Sequence, residues 1–416
     1  LFQPFFTTKE AGQGAGLGLG AAQSIVARFG GAMDYFSAAG QGATFRLAVP
    51  FVAAAVAALW RLRRGAVSRR LALIFAAVLV GGVVVLAAET LSLFGALTRP
   101  SLVLFWAAAI PVVWMAASWT ARLLPRDGAS YDAVPPSTKL LCAGLGVYAA
   151  ATLAVALAAT PNSWDSLTYH PPRVHHWIQD HTVAHYPTHV ERQVDLGPWA
   201  ELAILHLRLL VNDRFDNLVQ WLAMIGSVLT VSLAAGLLGA GREGQVYAAV
   251  FCATIPIGIL EATSTQNDYV VAFWLACFLT LLLVTPMRHQ AGAAVLAGLA
   301  LGLAWLKGTA YVYSAPLLVW CTHRRGIKGT VLAASFAALL GAGHYGRNLA
   351  ASGSPLGPGY VMWPDRVLYA NEEVSPRTLL SNAVRGAVLH LGLPNFHALT
   401  SSRGSTEPSS EPSPPS

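Results

Sequence analysis

From Leu71 to Ala88 the chain reads LALIFAAVLVGGVVVLAA, eighteen residues with no charge. As a helix rising 1.5 Å per residue, such a run approaches the ~30 Å thickness of a bilayer's hydrocarbon core. Moving outward from it, similar runs recur at 101–118, 139–159, 217–239, 245–261, 268–285, 291–306, 309–321 and 329–346. The whole-chain figures agree. Of 416 residues, 55% are hydrophobic and 11% charged, with a mean hydropathy of +0.52. A soluble domain carries roughly 25% charged residues. The expected fold class is mainly α: a polytopic α-helical membrane protein with about nine transmembrane helices, preceded by a short α+β segment.

The net charge of +7 does not call for nucleic acid, because the basic residues sit in short loops between apolar runs. That is the pattern that orients helices with their positive loops in the cytoplasm. With the cluster Arg61, Arg63, Arg64, Arg69 and Arg70 placed there, the next cytoplasmic loops carry Arg122 and Arg126, then Arg242, Arg288 and the run His323 to Lys328. The opposite, exported side receives 89–100, 160–216, 262–267, a turn near Lys307 and the residues after about 347. The expected location is a bacterial or archaeal cytoplasmic membrane. Cys142, Cys252, Cys277 and Cys321 lie in or at the ends of apolar runs, with no CxxC or Cys/His zinc spacing.

Residues 1–50 differ in character. They are polar and glycine-rich, with Gly14-Ala15-Gly16-Leu17-Gly18-Leu19-Gly20 ahead of a helix-like run and two strand-like runs flanking Gly40-Gln41-Gly42. Glycines before a helix N-terminus let backbone amides approach phosphate oxygens. Phe2-x-Pro4-Phe5, Thr7-Thr8-Lys9, Gly14-x-Gly16-Leu17-Gly18-Leu19 and Gly40-x-Gly42-x-x-Phe45 together resemble the C-terminal end of a sensor histidine kinase ATP-binding domain. The resemblance implies nucleotide binding by Gly14, Gly16 and Gly18, with ATP and Mg²⁺ as cofactors only if the domain were complete. The family's magnesium-holding Asn, adenine-reading Asp and phosphoacceptor His have no counterpart in these residues. The segment therefore reads as a truncated remnant, and the chain, opening on Leu1 without a signal peptide, as a fusion, a fragment or a reading-frame artefact.

The exported loop 160–216 is the richest in chemistry. It holds Trp164-Asp165, Arg173, Glu191, Asp195, Glu201 and seven of the twelve histidines. Its tryptophans and tyrosines suit a membrane interface, and Arg173 to Ile178 and Glu201 to Leu210 read as amphipathic interface helices. Asp165, just past a membrane exit, is a functional candidate or a helix cap. Asp268, after Asn267 at the next exported turn, is a functional candidate or a residue favoured by the helix dipole. The histidines lack convincing ligand spacing, so no metal site is assigned.

Trp164-Asp165, the interface helices, Asn267-Asp268 and Arg347-Asn348-x-x-x-x-Gly353-x-Pro355 resemble a GT-C-fold membrane glycosyltransferase of the protein O-mannosyltransferase and lipid A sugar transferase kind. The resemblance covers about residues 139–398. It implies sugar transfer from a polyprenyl-phosphate carrier to a lipid, glycan or protein acceptor on the exported face. Asp165 matches the acidic residue that serves the acceptor; Glu191 and Asp268 are looser matches in a catalytic role. Arg173, Lys307 and Arg347 would stabilise the departing phosphate, or in the case of Lys307 and Arg347 merely reach headgroups. The cofactor is unknown, with room for a divalent cation. The reading expects Asp165, Asp268 and Arg347 to converge on one exported cavity.

The domain reading is thus 1–50 as kinase remnant, 51–138 as basic linker with two spans, 139–398 as the transferase-like region, and 399–416 as a Ser/Pro-rich disordered tail. The family's usual further helices and exported domain are not matched beyond His397, so the region reads as truncated and its activity as open to loss. A sensor kinase with a membrane sensor and a membrane transporter stand as alternative functions. A transporter should show internal repeats and polar residues at the bilayer midplane, whereas the polar residues here gather at the exported face.

Overall fold

The structure is a computed structural model that describes residues 33–38, 42–47, 50–64, 67–124, 135–284, 290–357 and 375–391. It divides into two units, Leu1–Thr254 with Gly258–Arg366 and Ile255–Ile257 with Val367–Ser416. Strands β1 (Met33–Ala38) and β2 (Gly42–Leu47) pair antiparallel, with Tyr35 opposite Phe45. Gly14, Gly16 and Gly18 lie outside the described residues, as does the Ser/Pro tail.

All else described is helical or turn. The first unit holds α1 (Pro50–Arg64), α2 (Arg69–Leu93), α3 (Arg99–Leu123) and α4 (Pro136–Ala158). It continues with α5 (Trp164–Thr168), α6 (His170–Asp180), α7 (Trp199–Leu210), α8 (Leu218–Leu237) and α9 (Arg242–Ala253). After the short α10 (Pro256–Glu261), whose first two residues belong to the second unit, come α11 (Asp268–Leu283), α12 (Gln290–Trp305), α13 (Thr309–Leu340) and α14 (Ala342–Ser352). The second unit holds α15 (Pro376–Leu391).

Among the described residues, four segments are long and apolar enough to cross a membrane: Arg69–Leu93, Arg99–Leu123, Pro136–Ala158 and Asp213–Leu237. A fifth is added if α13 and α14, bent by 68°, form one broken span. Helices α11 and α12 are apolar but have 16 residues each, about 24 Å as helix. The apolar run 245–261 is not one helix; it breaks between α9 and α10 ahead of Pro256. The runs 309–321 and 329–346 lie on two helical stretches that meet at Gly326, whose φ of 72° is left-handed and breaks Thr309–Leu340; the second run continues into α14.

The long helices differ in what they touch. Helix α2 is central: 72% of its apolar window is buried against neighbours, including α8, α11, α12 and α13. Helix α4 is peripheral, with 11% buried, although its sequence is as apolar as a core helix. A water-soluble protein would not leave such a surface uncovered, whereas lipid solvates it.

Close packing rests on small residues. Gly298 and Gly302 of α12, one turn apart, face Ala333 and Ala337 of α13; a Cβ on Gly298 would stand 2.5 Å from the Ala333 carbonyl oxygen. This is small-residue packing of the kind that brings membrane helices together.

Contacts between loops sort the helix ends. At one end Arg70 reaches Ser232 and Gln245, and Arg325 reaches Gln290 and the Leu281 carbonyl. At the other, Glu89 meets Arg347, Thr265 meets Ser166, and Lys307 meets Asp268. The basic loops thus share one end and the acidic, histidine-rich loop the other.

Candidate functional site

The loop 160–216 folds as three helices and two single 3₁₀ turns, Glu191–Gln193 and Asp213–Phe215. Ser163 caps α5, its Oγ accepting from the Ser166 amide at 3.2 Å. That cap places Asp165 in the first turn of α5, while Trp164 and Leu167 stay 78% and 65% exposed. Exposed apolar side chains beside a membrane exit fit an interfacial helix.

Asp165 is part-exposed and stands 3.6 Å from Arg192, a loose pair. Asp268 opens α11 and accepts from Lys307 at 2.8 Å. The same ammonium donates to Asn267 Oδ1. The hydroxyl of Thr265 donates to Ser166 at 2.6 Å and so binds the Asp268 loop to α5. Gly197 permits a further closure: a Cβ there would lie 2.3 Å from the carbonyl carbon and oxygen of Leu306. Only glycine lets the 191–197 segment lie against the backbone that carries Lys307.

The two aspartates face a common neighbour. Burial raises the Tyr169 phenol first, and Glu201, Asp165 and Asp268 add to it. Tyr169 is therefore a neutral hydroxyl among carboxylates. The Asp268–Lys307 pair and the turn of α5 that bears Asp165 are thus drawn into one polar group, the mouth, by the Thr265–Ser166 hydrogen bond, with Tyr169 beside both aspartates.

Behind the mouth lies a buried ionic group. His170 Nδ1 is 2.7 Å from Glu201 Oε1, and Arg173 Nη1 is 3.6 Å from the same oxygen. None of the three side chains exceeds 1% exposure. Burial opposes the Glu201 charge, but His170, their hydrogen bond and Arg173 outweigh it and hold the carboxyl below its usual range. Arg173 also donates to the carbonyls of Gln193 and Leu196. Gln193 accepts from Tyr186 and Thr188 and donates to the Thr168 carbonyl. Arg173 and Gln193 therefore pin the segment 186–197 over α5 and α6. In this position Arg173 is engaged by protein groups.

Arg347 stands in an adjoining cluster. It grips Glu89 of α2 bidentately at 2.6 and 2.8 Å. It lines a tight crevice with Arg173, His185 and His344. His185 is lowered to about 4, by burial first and then by Arg347 and Arg173. Glu191 opens its 3₁₀ turn and raises the Asp195 carboxyl, which burial has already pushed up. The structure thus brings Asp165 and Asp268 to one mouth, with Lys307, and sets Arg173, Arg347 and Glu191 in the scaffold beside it.

No family model matches this chain, and no solved structure does. The sensor kinase CckA of Brucella abortus (strain 2308) is 46% identical over 50 residues. Those residues are 12% of this chain and span 5% of that relative's length.

Among the described residues, no three His, Cys, Asp or Glu side chains are grouped to hold a metal ion. Where a divalent cation would sit, between carboxylates, the countercharges are Lys307 and Arg192. Sequence reasoning missed Glu89, the partner of Arg347. It directly follows the apolar run 71–88, and an acid at a membrane exit is itself the signal.

Proposed function

We propose that the chain is a membrane glycosyltransferase that moves a sugar from a polyprenyl-phosphate carrier to an acceptor hydroxyl at the exported face. The observation that carries this reading is the mouth in which the Asp268–Lys307 pair is joined, through Thr265 and Ser166, to the turn that bears Asp165. Asp165 is a part-exposed carboxylate held only loosely by Arg192, and Lys307 is a cation held by two protein oxygens. In the reaction the acceptor O–H gives its proton to Asp165 as its oxygen bonds to the anomeric carbon. The bond from that carbon to the carrier phosphate breaks, and its electron pair leaves with the phosphate, stabilised by Lys307. Asp268 and Asn267 orient Lys307. Arg173 and Arg347 support the mouth from behind, and Glu191 fixes the turn that carries Arg192.

In this reading the nine apolar segments cross the membrane, with the basic loops cytoplasmic and loop 160–216 exported. Segments of 16 residues cross where the bilayer thins or the helix end draws it in.

The test uses the full chain in nanodiscs with synthetic polyprenyl-phosphate pentoses and hexoses, in the presence of membrane lipids as acceptors. Carrier binding is followed by native mass spectrometry and carrier release by chromatography. Asp165→Asn should lower release ~10²–10⁴-fold while carrier binding persists. Absence of both carrier binding and turnover with every sugar overturns the proposal.

The 46% identity with a sensor kinase over 50 residues supports a second reading, nucleotide binding by Gly14, Gly16 and Gly18. Saturable binding of a fluorescent ATP analogue with Mg²⁺ would support it; none at millimolar nucleotide would sink it.

A further inference from the structure

A cleft of about 600 Å³ opens beside α5 and α6, and none of Asp165, Asp268 and Lys307 lines it. It stands where two membrane segments end: Leu157 and Ala158 close α4, and Asp213 begins the segment Asp213–Leu237. Its depth therefore coincides with the boundary of the hydrocarbon region if those segments cross. One wall is apolar, with Leu157, Pro161 and Leu167, and it continues onto α4, the least covered of the long helices.

The polar wall is built around Arg208, whose side chain is only 7% exposed. Its Nε and Nη2 are satisfied by Asp216, with Nε 2.9 Å from Oδ2. Its Nη1 is buried and has no hydrogen-bond partner. A buried guanidinium N–H without an acceptor is unfavourable, and Arg208 lines the cleft, so a small turn of its side chain would bring that N–H to a ligand oxygen. Beside it, Arg214 and Asp213 are exposed at the rim, Arg214 donating to the Leu157 carbonyl at 3.2 Å. Asp216 is consumed by Arg208, so the rim presents Arg214, Asp213 and the exposed His175 imidazole, with Arg208 behind them.

That arrangement suits a zwitterion better than a dianion. An anionic headgroup would gain from Arg208 and Arg214 but meet Asp213, whereas a headgroup with both signs satisfies all three. An ammonium with N–H donors pairs with a carboxylate more closely than a trimethylated nitrogen. We propose that this cleft is a binding site for an aminophospholipid of the phosphoethanolamine class, with phosphate on Arg208 and Arg214, ammonium on Asp213 and acyl chains along α4. The site rests on α4 and Asp213–Leu237 crossing the membrane and is independent of sugar transfer.

The experiment is native mass spectrometry of the delipidated full chain in detergent. It is titrated with phosphatidylethanolamine, phosphatidylcholine and phosphatidylglycerol of one acyl composition, and separately with soluble glycerophosphoethanolamine. Phosphatidylethanolamine should bind about fivefold tighter than either other lipid, as one ion pair contributes. Asp213→Asn should level it with phosphatidylcholine, and Arg214→Gln should weaken all three. Both positions are exposed, and a thermal melt checks that each variant folds. Equal binding of the three lipids to the wild-type chain, or unchanged binding in both variants, overturns the proposal. Competition by glycerophosphoethanolamine at the lipid's own concentration would show a site for a soluble headgroup compound and overturn the assignment to a membrane lipid.

Discussion

Glu201 is the side chain on which the exported loop depends most. It is fully buried, bound to His170 and close to Arg173, so its carboxylate is the counterion of a cation that has lost its water. Glu201→Gln would leave Arg173 without that charge, and breaking a buried pair costs ~3–5 kcal/mol. The expected result is loss of monodisperse protein, or a clearly lower melting temperature, by fluorescence-detected gel filtration. Because its folded pKa lies below the ordinary value, its contribution is present above the unfolded glutamate pKa and fades as pH falls through the folded one. The histidines act in a higher window. His185 and His206, both lowered to about 4 mainly by burial, stay neutral in the fold while the unfolded chain takes up protons near 6.5. Stability should therefore fall as pH drops from 6.5 to 4. Replacing both by Gln should flatten that part of a melting-temperature profile, and an unaltered slope would contradict the assignment.

Elements are held in place by absences of side chains. Gly298 and Gly302 meet Ala333 and Ala337 with no room for a methyl group. Gly298→Ala should force α12 and α13 apart and cost ~1–3 kcal/mol, read as a lower melting temperature in detergent; a neutral result would mean that the helices slide to accommodate it. Gly197 serves the site rather than the bundle. With the Leu306 backbone 2.3 Å from its would-be Cβ, Gly197→Ala should displace the 191–197 segment. The readout is carrier turnover, expected to fall more than thermal stability. Helices α2, α3, α4 and α8 were legible as apolar runs, since a span needs only length and apolarity. The separation of 309–321 from the run after it was also legible, and Gly326 makes the break. The break of 245–261 was not, because the run stays apolar through Pro256 and hydropathy does not report where a helix stops.

At the scale of the molecule, the pair Glu89–Arg347 ties α2 to α14 across 258 positions of sequence. It sets the two spans before residue 138 in the same body as the site, a matter the sequence left open between enzyme and linker. The pair is part-exposed, 20% and 22%, so a double-mutant cycle of Glu89→Gln and Arg347→Gln should give a coupling of only ~1 kcal/mol in thermal stability. Zero coupling would make the contact incidental. Gly343 supports it: a Cβ there would fall 2.2 Å from Glu89 Oε2.

Sequence alone determined that this is a multi-helix, membrane-suited chain with its basic loops segregated from an acidic, histidine-rich loop. Hydrophobic length and charge placement are local, additive properties, and they read directly from the order of residues. It also singled out Asp165, Asp268 and Lys307, because acids and lysines at membrane exits are costly wherever they occur. Tertiary structure alone decided their partners: Lys307 with Asp268, Arg347 with Glu89, and Arg173 turned inward to Glu201 instead of outward to a ligand. An ion pair is fixed by distance in space, and chain folding brings together side chains that nothing in their local sequence relates.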